Sequence, residues 1–99
     1  MRRIKELTDQ IGEELAGAKG YAESYLDFKA AGDTRTAGRY MEMAQDEIKH
    51  AGYIHDLAVT EIDKLRTVFT PPADMEEAWN LSHKRYIEHA AWIRQMLAM

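Results

Sequence analysis

The chain has 99 residues, of which 45% are hydrophobic and 30% are charged, as is usual for one globular domain. Its net charge of -4 argues against nucleic acid as a partner, because phosphate binding needs a basic surface. The absence of cysteine excludes disulfides and thiol catalysis. Since neither an apolar run of about 20 residues nor a leader-like N-terminus is present, we expect a cytoplasmic protein with no membrane partner.

The first predicted helix covers residues 4–30. Its apolar residues recur every three or four positions, as they do on one face of a helix: Ile4, Leu7, Ile11, Leu15, Ala18, Ala22, Tyr25 and Phe28. Gly32 suits the left-handed position after a helix, and Asp33 or Thr34 suits the N-cap of the next one. We therefore expect a tight turn at this point.

The second predicted helix covers residues 34–69 and would be on the order of 50 Å long. Its apolar face consists of Tyr40, Ala44, Ala51, Ile54, Ala58, Ile62, Leu65 and Phe69. Pro71 and Pro72 follow and prevent the helix from continuing. A helix of this length in so small a domain suggests that its far end packs on another subunit.

The third predicted helix covers residues 74–98, with Asp74 as its N-cap and Glu77 at the position that completes a capping box. Its apolar face consists of Trp79, Tyr86, Ala90, Ile93 and Leu97. No segment alternates as a strand does. The sequence therefore predicts an all-α fold in which residues 1–99 form a single domain of three long antiparallel helices.

Two polar residues lie on the apolar faces, and a third lies at the edge of one. Glu14 and Glu47 each occur three residues after one apolar-face residue and four before the next, and His50 follows Glu47 by one turn. A buried carboxylate is unfavourable unless it is paired or binds a metal. Glu and His at positions i and i+3 can bind one metal ion or bridge two, and this donor set suits Fe, Mn or Zn better than calcium.

Other interpretations of these residues remain open. A Glu-x-x-His pair is common by chance, and Glu47 could form an ion pair with Lys19 or Arg39 at a subunit seam. On the third helix, His83 lies on the apolar face and Glu76 precedes it by seven residues. His83 is therefore a further candidate metal ligand, ranked below the other three. His55 and Glu61 are expected to be structural, as a boundary histidine and an interface ion pair.

The sequence also resembles a known family. The segment AGRYMEMAQDEIKHAGYIHDLA is similar to the second helix of the ferritin-like superfamily, especially of rubrerythrin-type domains, and EELAGAKGYAESYLDFKAAGD is similar to the first. In that family a metal-binding Glu is followed seven residues later by a Tyr, as Glu14 is by Tyr21. Glu47 follows Glu14 by 33 residues, which is close to the family separation. The chain also resembles short ferritin-like proteins of bacterial and phage genomes.

This resemblance implies a di-iron carboxylate protein with ferroxidase or peroxide-scavenging activity, in which Mn or Zn could replace iron. It assigns Glu14 as a terminal carboxylate, Glu47 as a bridging carboxylate and His50 as a terminal nitrogen ligand. The family bundle has four helices and a second ligand set, however, and the third helix here lacks a Glu-x-x-His motif. Either a homodimer supplies the second set by symmetry, which we favour, or His83 contributes.

The alternative function is a metal-free helical structural or adaptor protein, such as a phage-encoded one, that keeps only the bundle. Inward charges would then fix subunit register and should meet basic partners. A mononuclear zinc or manganese site for hydrolysis has less support, because the sequence offers no nucleophile or general base for it.

Overall fold

The structure, a computed structural model that describes residues 2–99, consists of three α-helices. Helix α1 spans Arg2–Ala30, α2 spans Thr34–Val68 and α3 spans Ala73–Leu97, and the described residues contain no strand. The predicted all-α fold is therefore confirmed, and each predicted helix end lies within two residues of the observed one. No helix within residues 2–99 combines the length and the apolar character that crossing a membrane requires.

The turn between α1 and α2 reverses the chain at Gly32, which has a φ of 82°. The amide of Asp33 donates to the carbonyl of Phe28 and that of Gly32 to Lys29, both at 3.0 Å, which is the Schellman pattern. The carboxylate of Asp33 then caps α2 by accepting a hydrogen bond from the amide of Thr36 at 3.1 Å. These local bonds place α1 and α2 side by side and antiparallel, as the sequence predicted.

The connection from α2 to α3 begins differently from the prediction. Pro72, and not Asp74, is the N-cap of α3, and it makes no side-chain cap bond. Its carbonyl accepts from the amides of Met75 and Glu76, each at 3.1 Å, so the helix starts before Asp74. Arg66 near the end of α2 forms a two-bond ion pair with Glu76, at 3.0 and 2.6 Å, which joins α2 to α3 across the connection.

The core between α1 and α2 is built on small residues. Alanines recur every seven positions along α2 and are almost fully buried, at positions Ala37, Ala44, Ala51 and Ala58. They lie against the buried aliphatic face of α1, which includes Ile11, Leu15 and Ala18. Seven-residue spacing of the contact residues is typical of long helices that pack lengthwise. On α2, Ala37 and Ile48 are buried although the predicted apolar face did not include them. Phe69, which the prediction placed at the end of that face, is exposed.

Helix α3 runs parallel to α1 and packs more closely on α1 than on α2. At the C-terminal ends of α1 and α3, Lys29 Nζ donates a hydrogen bond to the carbonyl oxygen of Met99. The three helices form a rod of 56 × 17 × 17 Å. Its radius of gyration is 16.1 Å, compared with about 13 Å for a compact domain of this length.

One side of the α1–α2 pair is not covered by α3. Leu15 of α1 and Ile48 of α2 both line grooves beside α3. Glu14 and Glu47 immediately precede these residues in the sequence, so they point about 100° away around their helices. The polar residues singled out by the sequence therefore lie on the face of the α1–α2 pair that is turned away from α3. We call this the open face.

Candidate metal centre

Glu14, Glu47 and His50 converge on the open face. Glu14 comes from the middle of α1, and Glu47 and His50 come from successive turns of α2. His50 Nδ1 lies 3.7 Å from Glu14 Oε2 and 3.7 Å from Glu47 Oε1. One ligand atom from each residue lies within 4.8 Å of the other two. Two long helices thus bring together three of the four residues that the sequence predicted as metal ligands.

The three side chains form a shallow site at the seam between α1 and α2. The side chains of Glu14 and Glu47 are 28% and 26% exposed, and that of His50 is 52% exposed. The carboxylate of Glu47 lies against α1 at Gly17, and all three side chains are partly open to solvent. An ion from solution could therefore reach all three donors without a change in the fold.

The two carboxylates of the site, Glu14 and Glu47, are not neutralised by a full positive charge nearby in the described part of the chain. The pKa of Glu47 is raised above its ordinary value, first by a hydrogen bond with Glu14, then by burial and by repulsion from the Glu14 charge. The charge of His50 acts in the opposite direction. No Lys or Arg nitrogen within residues 2–99 lies within 4.0 Å of either carboxylate, and neither Lys19 nor Arg39 pairs with Glu47.

A cation beside both carboxylates would offset the repulsion between their charges. Two carboxylates and an imidazole are ligands that Fe, Mn and Zn accept in proteins. The backbone of α1 also leaves room for this arrangement, because Gly17 has no side chain where Glu47 Oε2 approaches the helix. Both the donor set and the space around it therefore fit a metal ion.

An aromatic cluster lies on the same face, two turns along the helices. Tyr21 follows Glu14 by seven residues and Tyr40 precedes Glu47 by seven, so both lie about 10 Å from the carboxylates along the helix axes. The rings of Tyr21 and Tyr40 are 6.2 Å apart, and Phe28 stacks on Tyr40 at 5.5 Å. These side chains are only partly buried, so the open face is apolar next to the polar site.

The structure does not bring His83 to this group. His83 lies on α3, and its Nδ1 is 2.7 Å from Nε2 of His55 on α2. The His55 ring also stacks on Tyr86 at 4.5 Å and on Trp79 at 5.6 Å. Burial and the charge of His83 lower the pKa of His55, and Asp56 opposes them. This histidine pair fills the gap between α2 and α3.

Sequence reasoning missed the His55–His83 pair, although a signal was available. Both histidines lie at apolar-face positions of their helices, His55 four residues after Ala51 and His83 four residues after Trp79. Glu76, the proposed companion of His83, instead pairs with Arg66. Glu61 lies 3.9 Å from Lys64 on its own helix.

Comparison of the chain with protein-family models, with curated proteins and with solved structures found no match. The resemblance to ferritin-like proteins, and the functions it implies, therefore stay predictions.

Proposed function

We propose that this chain binds a dinuclear metal centre, with iron as its metal, through Glu14, Glu47 and His50. The observation that carries the proposal is the convergence of these donors from two helices, with no Lys or Arg nitrogen of residues 2–99 within 4.0 Å of either carboxylate. The proximity of Glu14 and burial raise the pKa of Glu47, and a bound cation would offset the repulsion between the two carboxylates.

The centre is shared by two copies of the chain. Three donors are too few for two metal ions, and a two-fold axis next to the open face would supply four carboxylates and two imidazoles. The open face of α2 supports this arrangement, because apolar residues flank the donors at alternating spacings of three and four. Met43 is 40% exposed and Leu57 is 54% exposed on either side of Glu47 and His50.

In this proposal Glu14, Glu47 and His50 of both copies would hold the ions, with Glu47 as the carboxylate shared between them and Glu14 and His50 as terminal ligands. Iron, when bound, supplies the redox chemistry, since two Fe(II) ions can pass two electrons to oxygen or to hydrogen peroxide. The protein residues bind the ions, keep them adjacent and shield them on the core side. We therefore propose ferroxidase or peroxide-scavenging activity. We place the protein in the cytoplasm, which a chain without cysteine fits.

The test is an anaerobic titration of the purified protein with Fe(II), followed by calorimetry, and then exposure to oxygen with the near-ultraviolet absorbance recorded. We expect saturation near one iron per chain and a ferric absorbance band after oxygen. The variant Glu47→Ala should lose both. Glu61→Ala is the matched control, because Glu61 lies on the same helix and outside the group. Absence of saturable binding by the native chain at neutral pH would refute the proposal.

A second role, as a metal-free structural or adaptor protein, has one observation in its favour. Large apolar side chains are exposed outside the site, among them Tyr53, Ile87 and Trp92. Such residues are common at protein interfaces. This role predicts that Fe(II) does not bind, and that Glu47→Ala weakens assembly of the chain, because inward charges would then fix the subunit register.

A further inference from the structure

The backbone conformation of α1 does not require glycine at position 17. Gly17 lies inside a regular helix, and among residues 2–99 the positive φ belongs to Gly32 alone. Glycine is the least favourable residue in a helix interior after proline, because its backbone loses the most freedom there. Alanine at this position would favour the helix. The surroundings of Gly17 distinguish it from Gly12 and Gly20 of the same helix.

The surroundings of Gly17 are the carboxylate of Glu47. A Cβ atom at position 17 would lie 3.1 Å from Glu47 Oε2, 3.7 Å from its Cδ and 3.9 Å from its Cγ. A separation of 3.1 Å is tighter than nine in ten real Cβ contacts, so the carboxylate would have to shift. A Cβ atom at Gly12 or at Gly20, on the same helix, would have no atom within 4 Å.

We propose that Gly17 is a positioning residue for the metal centre: its missing side chain lets the Glu47 carboxylate lie against α1, next to Glu14. This inference rests on the proposed function. Glu14 and Gly17 are one turn apart on the same side of α1, so a methyl group at position 17 would displace the Glu47 oxygens relative to Glu14. Metal sites require ligand distances within about 0.2 Å of their ideal values, so a small displacement matters.

The conservative substitution Gly17→Ala separates positioning from folding. Alanine does not disturb a helix, so the variant should remain at least as helical as the native chain. Gly12→Ala and Gly20→Ala make the same chemical change on the same helix, away from Glu47. All three variants should fold, and only Gly17→Ala should alter the metal centre.

The experiment uses Co(II) as the probe, because its visible absorbance reports the geometry of its ligands. We expect Gly17→Ala to weaken Co(II) binding by about tenfold or more, as a change in the surroundings of a ligand does, and to change the Co(II) spectrum. The two control variants should match the native protein in affinity and spectrum. In the metal-free protein, the ¹³C shift of the Glu47 carboxyl carbon should change in Gly17→Ala and stay constant in the controls.

The outcomes distinguish this inference from the proposed function. If the native chain and both controls bind Co(II) and Gly17→Ala binds it equally well with the same spectrum, the inference is wrong and the proposed function stands. If neither the native chain nor any variant binds Co(II) or Fe(II), the proposed function is wrong and the inference falls with it. Weaker binding in all three variants would also overturn the inference, because the effect would then come from α1 as a whole.

Discussion

Replacing Glu47 by glutamine should stabilise the metal-free protein while it removes metal binding. Glutamine has the shape of a protonated glutamate and can donate a hydrogen bond to Glu14 at every pH. Within residues 2–99, the half-exposed His50 is the one basic side chain that lies within 4.0 Å of the two carboxylates. A site that weakens the metal-free fold for the sake of a ligand is typical of binding centres. The substitution Glu47→Gln tests this property directly.

The magnitude follows from the distance between the charges. The ligand atoms of Glu14 and Glu47 lie within 4.8 Å of each other. Two unit charges at that distance repel by roughly 0.9 kcal/mol in a water-like dielectric and roughly 3.5 kcal/mol at an effective dielectric constant of 20. Because both side chains are about a quarter exposed, we expect a gain near the lower value, about 1 kcal/mol. For a domain of this size, that gain raises Tm by about 4–8 °C.

Thermal unfolding followed by circular dichroism at pH 7, with a chelator present, measures this gain. The gain should shrink as the pH falls towards 4. A raised folded-state pKa means that native Glu47 takes up a proton more readily when folded, so the native chain recovers stability in acid. Glu61→Gln is the control and should change Tm little, because its partner Lys64 is at the solvent. An unchanged or lower Tm for Glu47→Gln at pH 7 would refute the proposed repulsion.

Three further predictions concern the site, the histidine pair and the core. Binding of Fe(II) should release protons, and its affinity should fall as the pH falls through the raised pKa of Glu47. Calorimetry in buffers of different ionisation heat measures the proton release, and equal heats in all buffers would contradict it. Because the pKa of His55 is lowered in the folded state, the unfolded chain binds the proton more readily. The free energy of unfolding measured in urea should therefore be highest above pH 6.5 and decline as the pH falls below it. His55→Phe should remove that decline, and an equal decline in both proteins would count against a buried neutral His55. Ala51→Leu should destabilise the fold by about 1–3 kcal/mol in urea, because Ala51 is fully buried between α1 and α2; unchanged stability would mean that the helices can separate.

Most of the fold could be predicted because helix stops and apolar periodicity are local properties of the sequence. Gly32 and the Pro71-Pro72 pair mark the two connections, and the helix ends observed lie close to those marks. The start of α3 was less accurate, because Asp74 had the composition of a cap while the carbonyl of Pro72 was already available to begin the helix. A cap depends on backbone geometry at one residue, which a side-chain motif does not determine.

The site was predictable to the extent that it depends on positions along one helix. Glu14 and Glu47 interrupt apolar faces and His50 lies at the edge of one, and these positions identify the three residues without knowledge of the packing. The partner of His83 was not predictable in this way, because it depends on how α3 is rotated about its own axis and on which side of α2 it packs. The role of Gly17 was hidden for the same reason, since its neighbour Glu47 is thirty residues away on another helix.

The most direct test of a shared metal centre is anomalous diffraction at the iron edge from crystals of the protein grown anaerobically with Fe(II). The proposal predicts two adjacent iron peaks between two copies of the chain, each bound by Glu14, Glu47 and His50 side chains from the open faces. Iron bound singly to one copy, or two copies that meet through another surface with no iron at these residues, would contradict it.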